Sequence, residues 1–219
     1  MILVRPYGKC SGSKYQESKM DILVTAFEPF GGDGLNPSEM VLHDLPDEML
    51  GRSIHKLLLP VEFHRAPEEA IAEYDRLSPD AVIMLGQAGG RSAVTPESTG
   101  RNIMNAAEPD NAGYKPDHQP ITEGGPEQLS STLPVQKIID SVRSLGIPCE
   151  RSDSAGEFVC NCLLYSMLDH NKGEVPTGFI HMPYIKEQGH EDKPYMELKD
   201  ITKAIMTAIE TVISVTESV

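Results

Sequence analysis

The chain has 219 residues, 39% of them hydrophobic, with 19 Lys and Arg against 33 Asp and Glu and a formal net charge of -14. That length and balance describe one soluble α/β-sized domain and exclude a phosphate-tracking nucleic-acid surface, which needs clustered basic residues. They also disfavour an anionic membrane face, and no apolar run approaches the ~20 residues of a spanning helix.

Residues 1–19 lack apolar periodicity and read as an extension outside the fold, with Met20 as the start of the domain. The opening Met1-Ile2-Leu3-Val4 is too short for a signal peptide's apolar core. Asp21 to Ala26 has the pattern of a short buried strand, closed by a Pro/Gly turn. Asn36-Pro37-Ser38 offers a cap and a first-turn proline, predicting a helix to about Leu50. Ser53 to Leu59 reads as a second strand, residues 65–78 as a helix, and Ala81 to Leu85 as a third strand ending at Gly86.

From Gly86 to Pro134 the chain is dominated by Gly, Pro, Asn and Ser. A loop that long, at about 87–133, predicts a functional or partly mobile segment. Val135, Ile138, Ile139 and Val142 form a helical stripe within Leu133–Leu145. Cys149 to Arg151 suggests a short strand. Ser154-Ala155-Gly156-Glu157 fits a capping box opening a helix to about Leu168. Gly178 to His181 reads as the last strand and Leu198 to Val215 as an amphipathic helix. This alternation predicts a single-domain, three-layer α/β sandwich over 20–219, a mostly parallel twisted sheet with helices on both faces, like phosphorylases and hydrolases.

Four cysteines (Cys10, Cys149, Cys160, Cys162) are too few for a disulfide scaffold and suit a reducing cytoplasm. Cys160 falls early in a helix that follows a strand, where the helix field favours the thiolate nucleophile. The capping box sets it in the second turn, where that field fades, so an adjacent base is needed. Cys162 is about 200° further round and points elsewhere. Composition alone favours reading both thiols as small core side chains. His181 ends a strand at the carboxyl edge, where open α/β sheets hold their ligands. It can act as general base and acid, and a structural histidine is an equal reading. Glu97 could orient such a base, although a loop carboxylate is more often simply solvated. P-loop, complete dinucleotide and G-x-S-x-G motifs are absent, and Cys160 and Cys162 diverge too far to share a zinc ion.

Four segments in this order resemble the pyroglutamyl peptidase I (pyrrolidone-carboxylate peptidase) family of cysteine peptidases. They are Ala26-Phe27-Glu28-Pro29-Phe30-Gly31-Gly32 with Asn36-Pro37-Ser38; Gly86-Gln87-Ala88-Gly89-Gly90-Arg91 with Thr95-Pro96-Glu97; Ser154 to Asn161; and Gly178 to Tyr184. The resemblance implies a cytoplasmic, metal-free and cofactor-free thiol protease, a homo-oligomer (dimer or tetramer) acting on peptides with N-terminal pyroglutamate. It implies Cys160 as nucleophile, His181 as general base and acid, and Glu97 as the orienting carboxylate. It also implies Phe27, Phe30, Asn36, Gln87 and Phe158 as substrate-binding positions. The chain departs from the family at Ser98-Thr99-Gly100, where Arg, an aliphatic residue and Ala are typical, and near Ala107, where an arginine is usual. Those departures leave open a weakened lactam-binding homologue, and architecture alone leaves open a phosphorylase-like transferase.

Overall fold

A computed structural model describes residues 20–217. The expected extension over residues 1–19, and Cys10 with it, lies outside the described residues. The elements in chain order are β1 (Asp21–Phe27), α1 (Pro37–Asp44), β2 (Glu48–Met49), β3 (Arg52–Leu59), α2 (Arg65–Leu77), β4 (Ala81–Gln87), β5 (Thr95–Pro96), β6 (Thr99–Arg101), β7 (Gln128–Ser130), α3 (Val135–Ser144), α4 (Val159–Asn171), β8 (Thr177–Met182), β9 (Tyr184–Ile185), a 3-10 turn (Lys186–Gln188), β10 (Tyr195–Met196) and α5 (Leu198–Thr216).

The main sheet runs β2-β3-β1-β4-β8-β5. Its inner strands are parallel, and β2 and β5 are antiparallel edges. Period-two alternation divides the apolar residues between the two faces. Ile22, Val24 and Ala26 of β1 pack with Ile83, Leu85, Ile180 and Met182 against α1, α3 and α5. Leu23 and Phe27 pack with Val82, Met84 and Phe179 against α2 and α4. Strands buried on both faces read as continuous apolar runs, which is why their positions follow from the sequence. The result is the expected three-layer sandwich.

Several boundaries differ from expectation. Helix α1 stops at Asp44, not near Leu50, because Leu45 is extended ahead of Pro46. The chain then forms a hairpin: Leu50 and Gly51 take φ of 50° and 76° between Met49 and its partner Arg52, the positive-φ pair of a tight two-residue turn. The long segment after Gly86 is mostly loop and carries three short strands, β5, β6 and β7. Residues 149–151 make a bridge from Cys149 to Val94 without a strand of their own. Helix α4 runs on to Asn171 and opens at Val159, not at the expected Ser154 capping box. Gly156 is left-handed (φ 81°), and Glu157 turns its carboxylate to Arg101 and Asn105 instead of back to Ser154.

Candidate active site

The late start of α4 moves Cys160 into the helix's first turn, nearer the positive end of the dipole than expected. Phe158 supplies no side-chain cap, so the first-turn N–H groups stay available at the helix mouth. On β8, alternation turns Phe179 and His181 toward α4, with ring centroids 4.6 Å apart. Gly86 of β4 stands in register beside His181. A Cβ on Gly86 would lie 3.2 Å from Cys160 Sγ and 2.6 Å from Phe179 Cζ. Only glycine lets the helix mouth settle this closely on the carboxyl ends of β4 and β8.

Glu97 follows β5, which pairs with β8 at Thr95–His181. Its backbone N–H donates to Phe179 O at 2.8 Å, and its carboxylate is fully buried. Glu97 Oε1 lies 2.7 Å from His181 Nδ1. Against a carboxylate Nδ1 carries the proton, which leaves Nε2 as an acceptor. Arg91 Nη1 donates to the same Oε1 at 2.6 Å, and Nη2 donates to Ser154 O at 3.1 Å. Arg91 also donates to Thr95 Oγ1.

The electrostatics favour neutral partners beside one fixed charge. Burial opposes ionisation of Glu97. The hydrogen bond and charge of His181, the Ser152 side chain and the Arg91 charge outweigh it, holding the carboxyl below its usual range. Burial lowers the His181 pKa below that of a free imidazole, partly opposed by Glu97. Protein atoms packed round Cys160 push its thiol up to about 12, and the charge of Glu97 adds to this. Arg91 and the residue's own backbone N–H act the other way. Burial thus disfavours the charged forms of Cys160 and His181, while Glu97 is held toward its carboxylate.

Phe30, Gln87, Ala88, Gly89, Arg91, Ser154, Ala155, Gly156, Phe158, Cys160 and His181 line one cleft of about 400 Å³. The Phe30 and Phe158 rings lie 6.2 Å apart in its wall. Two expected binding positions do not line it. Phe27 is directed by strand alternation into the core, where its ring stacks 6.4 Å from Phe179. Asn36 caps α1, accepting from Ser38 N at 3.0 Å and donating to Glu28 O at 3.0 Å.

A family model for pyroglutamyl peptidase matches residues 20–215. The chain belongs to the pyroglutamyl peptidase family. It is 43% identical over 199 residues to pyrrolidone-carboxylate peptidase 1 of Caldanaerobacter subterraneus subsp. tengcongensis, covering 89% of this chain and 98% of that one. The pyrrolidone-carboxylate peptidase of Thermococcus onnurineus is 41% identical over 197 residues, covering 88% and 98%. Among solved structures, pyroglutamyl peptidase I of Bacillus amyloliquefaciens superposes with a TM-score of 0.86 at 36% identity, covering 89% of this chain and 95% of that one. The pyrrolidone carboxyl peptidase of Pyrococcus furiosus gives 0.86 at 36% identity, covering 90% and 100%.

Against the family pattern, Ser98-Thr99-Gly100 leads into β6, which lies on the cysteine helix. A Cβ on Gly100 would stand 3.1 Å from Tyr165 N and 3.2 Å from Leu164 Cγ. Asn161, the neighbour of Cys160, clamps this strand. Its Oδ1 accepts from Arg101 N and its Nδ2 donates to Arg101 O and Ile103 O, each at 2.9 Å. Arg101 reaches Glu157 at 3.1 Å and is not the arginine that meets Glu97. That residue is Arg91, which sequence reasoning placed in a motif without a role. Among the described residues, no group of three or more His, Cys, Asp or Glu converges as a metal site.

Proposed function

We propose that this chain is a cysteine omega-peptidase that removes N-terminal pyroglutamate from peptides through an acyl-enzyme on Cys160. The observation that carries the reading is the buried 2.7 Å contact of Glu97 with His181 Nδ1, in a cleft that Cys160 and His181 line together. The names of the relatives support the substrate class.

Pyroglutamate presents a neutral five-membered lactam with one acceptor and one donor. Phe30 and Phe158 cover its ring, and Gln87 answers its polar edge, where an unpaired amide would cost ~1–3 kcal/mol. As Sγ attacks the scissile carbonyl, the thiol proton passes to His181 Nε2. Glu97 holds the tautomer and stabilises the imidazolium as it forms. Because burial disfavours a free thiolate, proton transfer accompanies attack and does not precede it. The Sγ–C bond forms, and the carbonyl oxygen becomes an oxyanion facing the uncapped first-turn N–H groups of α4, a contribution often worth ~3 kcal/mol. On collapse the C–N bond breaks and His181 returns the proton to the leaving amine. Water then attacks the thioester with His181 again as base, releasing pyroglutamate and restoring the thiol.

The same reading sets the enzyme in the cytoplasm as a homo-oligomer. Free Cys149, Cys160 and Cys162 suit a reducing compartment, and none of the described helices is long and apolar enough to cross a membrane. The deciding assay follows amine release from a chromogenic pyroglutamyl amide before and after thiol alkylation. Thiol-dependent turnover is expected. Ligand binding without turnover would favour a lactam binder, and phosphate-dependent nucleoside cleavage a phosphorylase.

A further inference from the structure

Directly after the histidine strand, the chain from Tyr184 to Met196 passes beside the cleft, and Gln188 closes its 3-10 turn. Gln188 Oε1 accepts from Ile185 N at 3.0 Å. Its Nε2 donates to Gln87 Oε1 at 2.7 Å and to Leu35 O at 3.2 Å, with Asp33 Oδ2 at 3.4 Å. This amide cannot be turned over. A backbone N–H only donates and a backbone carbonyl only accepts, so Ile185 and Leu35 fix which end of Gln188 is which. Gln188 therefore shows an NH2 group to Gln87, and Gln87 must answer with its oxygen. The Gln87 Nε2 has no hydrogen-bond partner among the described residues, and Gln87 is one of the residues that line the cleft.

We propose that Gln188 is a positioning residue that determines specificity: it locks the Gln87 amide so that the cleft receives a donor, matched to the ring carbonyl of the lactam. This rests on the pyroglutamyl reading of the cleft. An unlocked Gln87 could turn an acceptor toward that carbonyl and repel it. Locked as a donor, it favours a lactam over a proline ring, which has only a methylene there and leaves the donor unpaired. The segment has a second anchor: His190 Nε2 lies 3.0 Å from Asp33 Oδ1, and its ring lies 4.1 Å from that of Tyr184. Changing Gln188 alone thus leaves the segment held.

The test compares the wild type, Gln188→Glu and Gln188→Met, each alone and in a Gln87→Ala background. The readouts are kcat/KM on a pyroglutamyl amide, the inhibition constant of the bare lactam 2-pyrrolidone, and the melting temperature. Gln188→Glu offers Gln87 an acceptor and reverses its amide, so kcat/KM should fall roughly 10–100-fold and the lactam inhibition constant should rise in parallel. Gln188→Met only unlocks the amide and should lose a few-fold. In the Gln87→Ala background neither change should matter further, because the effect passes through Gln87. Equal losses with and without Gln87 would assign Gln188 a merely structural role and overturn the proposal. So would wild-type values in both single variants, while leaving the peptidase reading intact. A wild type that neither cleaves the amide nor binds the lactam would remove that reading and this inference together.

Discussion

Replacing Gly86 by alanine probes how closely the sheet is packed under the nucleophile. The added Cβ would lie 2.6 Å from Phe179 Cζ, 2.9 Å from Cε1 and 3.2 Å from Cys160 Sγ. Carbon pairs rest at ~3.5–4.0 Å, so the ring must withdraw by about 1 Å. Gly86 does not have a positive φ, so the penalty is steric and not conformational. Phe179 is 0% exposed and sits between Phe27 and the His181 ring, so its displacement carries to the base. Overpacking of this kind costs ~1–3 kcal/mol, about 2–12 °C in melting temperature for a domain of this size. A shift of ~1 Å among reacting groups costs roughly 10²-fold in rate. The assay pairs kcat/KM on a fluorogenic pyroglutamyl amide with a thermal melt. A Gly86→Ala protein with wild-type kcat/KM and melting temperature would refute the packing argument.

Four further outcomes are expected. Arg91→Met leaves Glu97 without its cation and should cost ~3 kcal/mol of stability, read from urea unfolding. Arg91 lowers the His181 pKa, so its loss should move the acid limb of kcat/KM to higher pH; an unmoved limb would contradict its coupling to the base. In the wild type, His181 must be neutral to accept the proton, and burial lowers its pKa, so the acid limb should lie below the free-imidazole value of ~6.5. With the thiol near 12, iodoacetamide labelling of the resting enzyme should keep climbing above pH 9, whereas a plateau by pH 7 would show a preformed thiolate. Amides of proline and glutamine should be scarcely cleaved beside pyroglutamate, because their charged amino groups would be buried next to Phe30 and Phe158; comparable kcat/KM for proline would rule out a lactam pocket.

The inner strands were legible because burial on both faces leaves a continuous apolar run that local reading detects. The β2–β3 hairpin was not, since its turn is Leu50-Gly51 with no Asn or Asp to mark the positive-φ pair. Strand β5 escaped for a different reason: two residues, one of them Pro96, carry no periodicity. Ser154 and Glu157 suggested a capping box, but Arg101 and Asn105, more than fifty residues away, take the Glu157 carboxylate, and no local pattern encodes that competition. For the site, the resemblance assigned Cys160, His181 and Glu97, and the fold brings Cys160 and His181 to one cleft with Glu97 behind the histidine. Glu97 read locally as a solvated loop residue and is fully buried, because its burial depends on β8 and Arg91. Asn36 reads as a pocket amide and a helix cap at once, and the structure shows it capping α1 through Ser38 N and tied to Glu28 O. Gln188 carried no local signal, since its role consists of partners at positions 35, 87 and 185.

The proposed chemistry runs through one thiol, and two cysteines on the same helix provide the comparison. Cys162 is 3% exposed, its Sγ 3.3 Å from Phe63 O on the core side of α4, whereas Cys160 lines the cleft. The measurement is kcat on a pyroglutamyl amide for Cys160→Ala and Cys162→Ala, with melting temperature recorded for both. Cys160→Ala should lose at least ~10⁴-fold in turnover with its fold intact, and Cys162→Ala should keep most of its activity at a cost of about 1 kcal/mol in stability. Equal losses from the two substitutions at unchanged melting temperature, or persistent turnover in Cys160→Ala, would contradict the assignment.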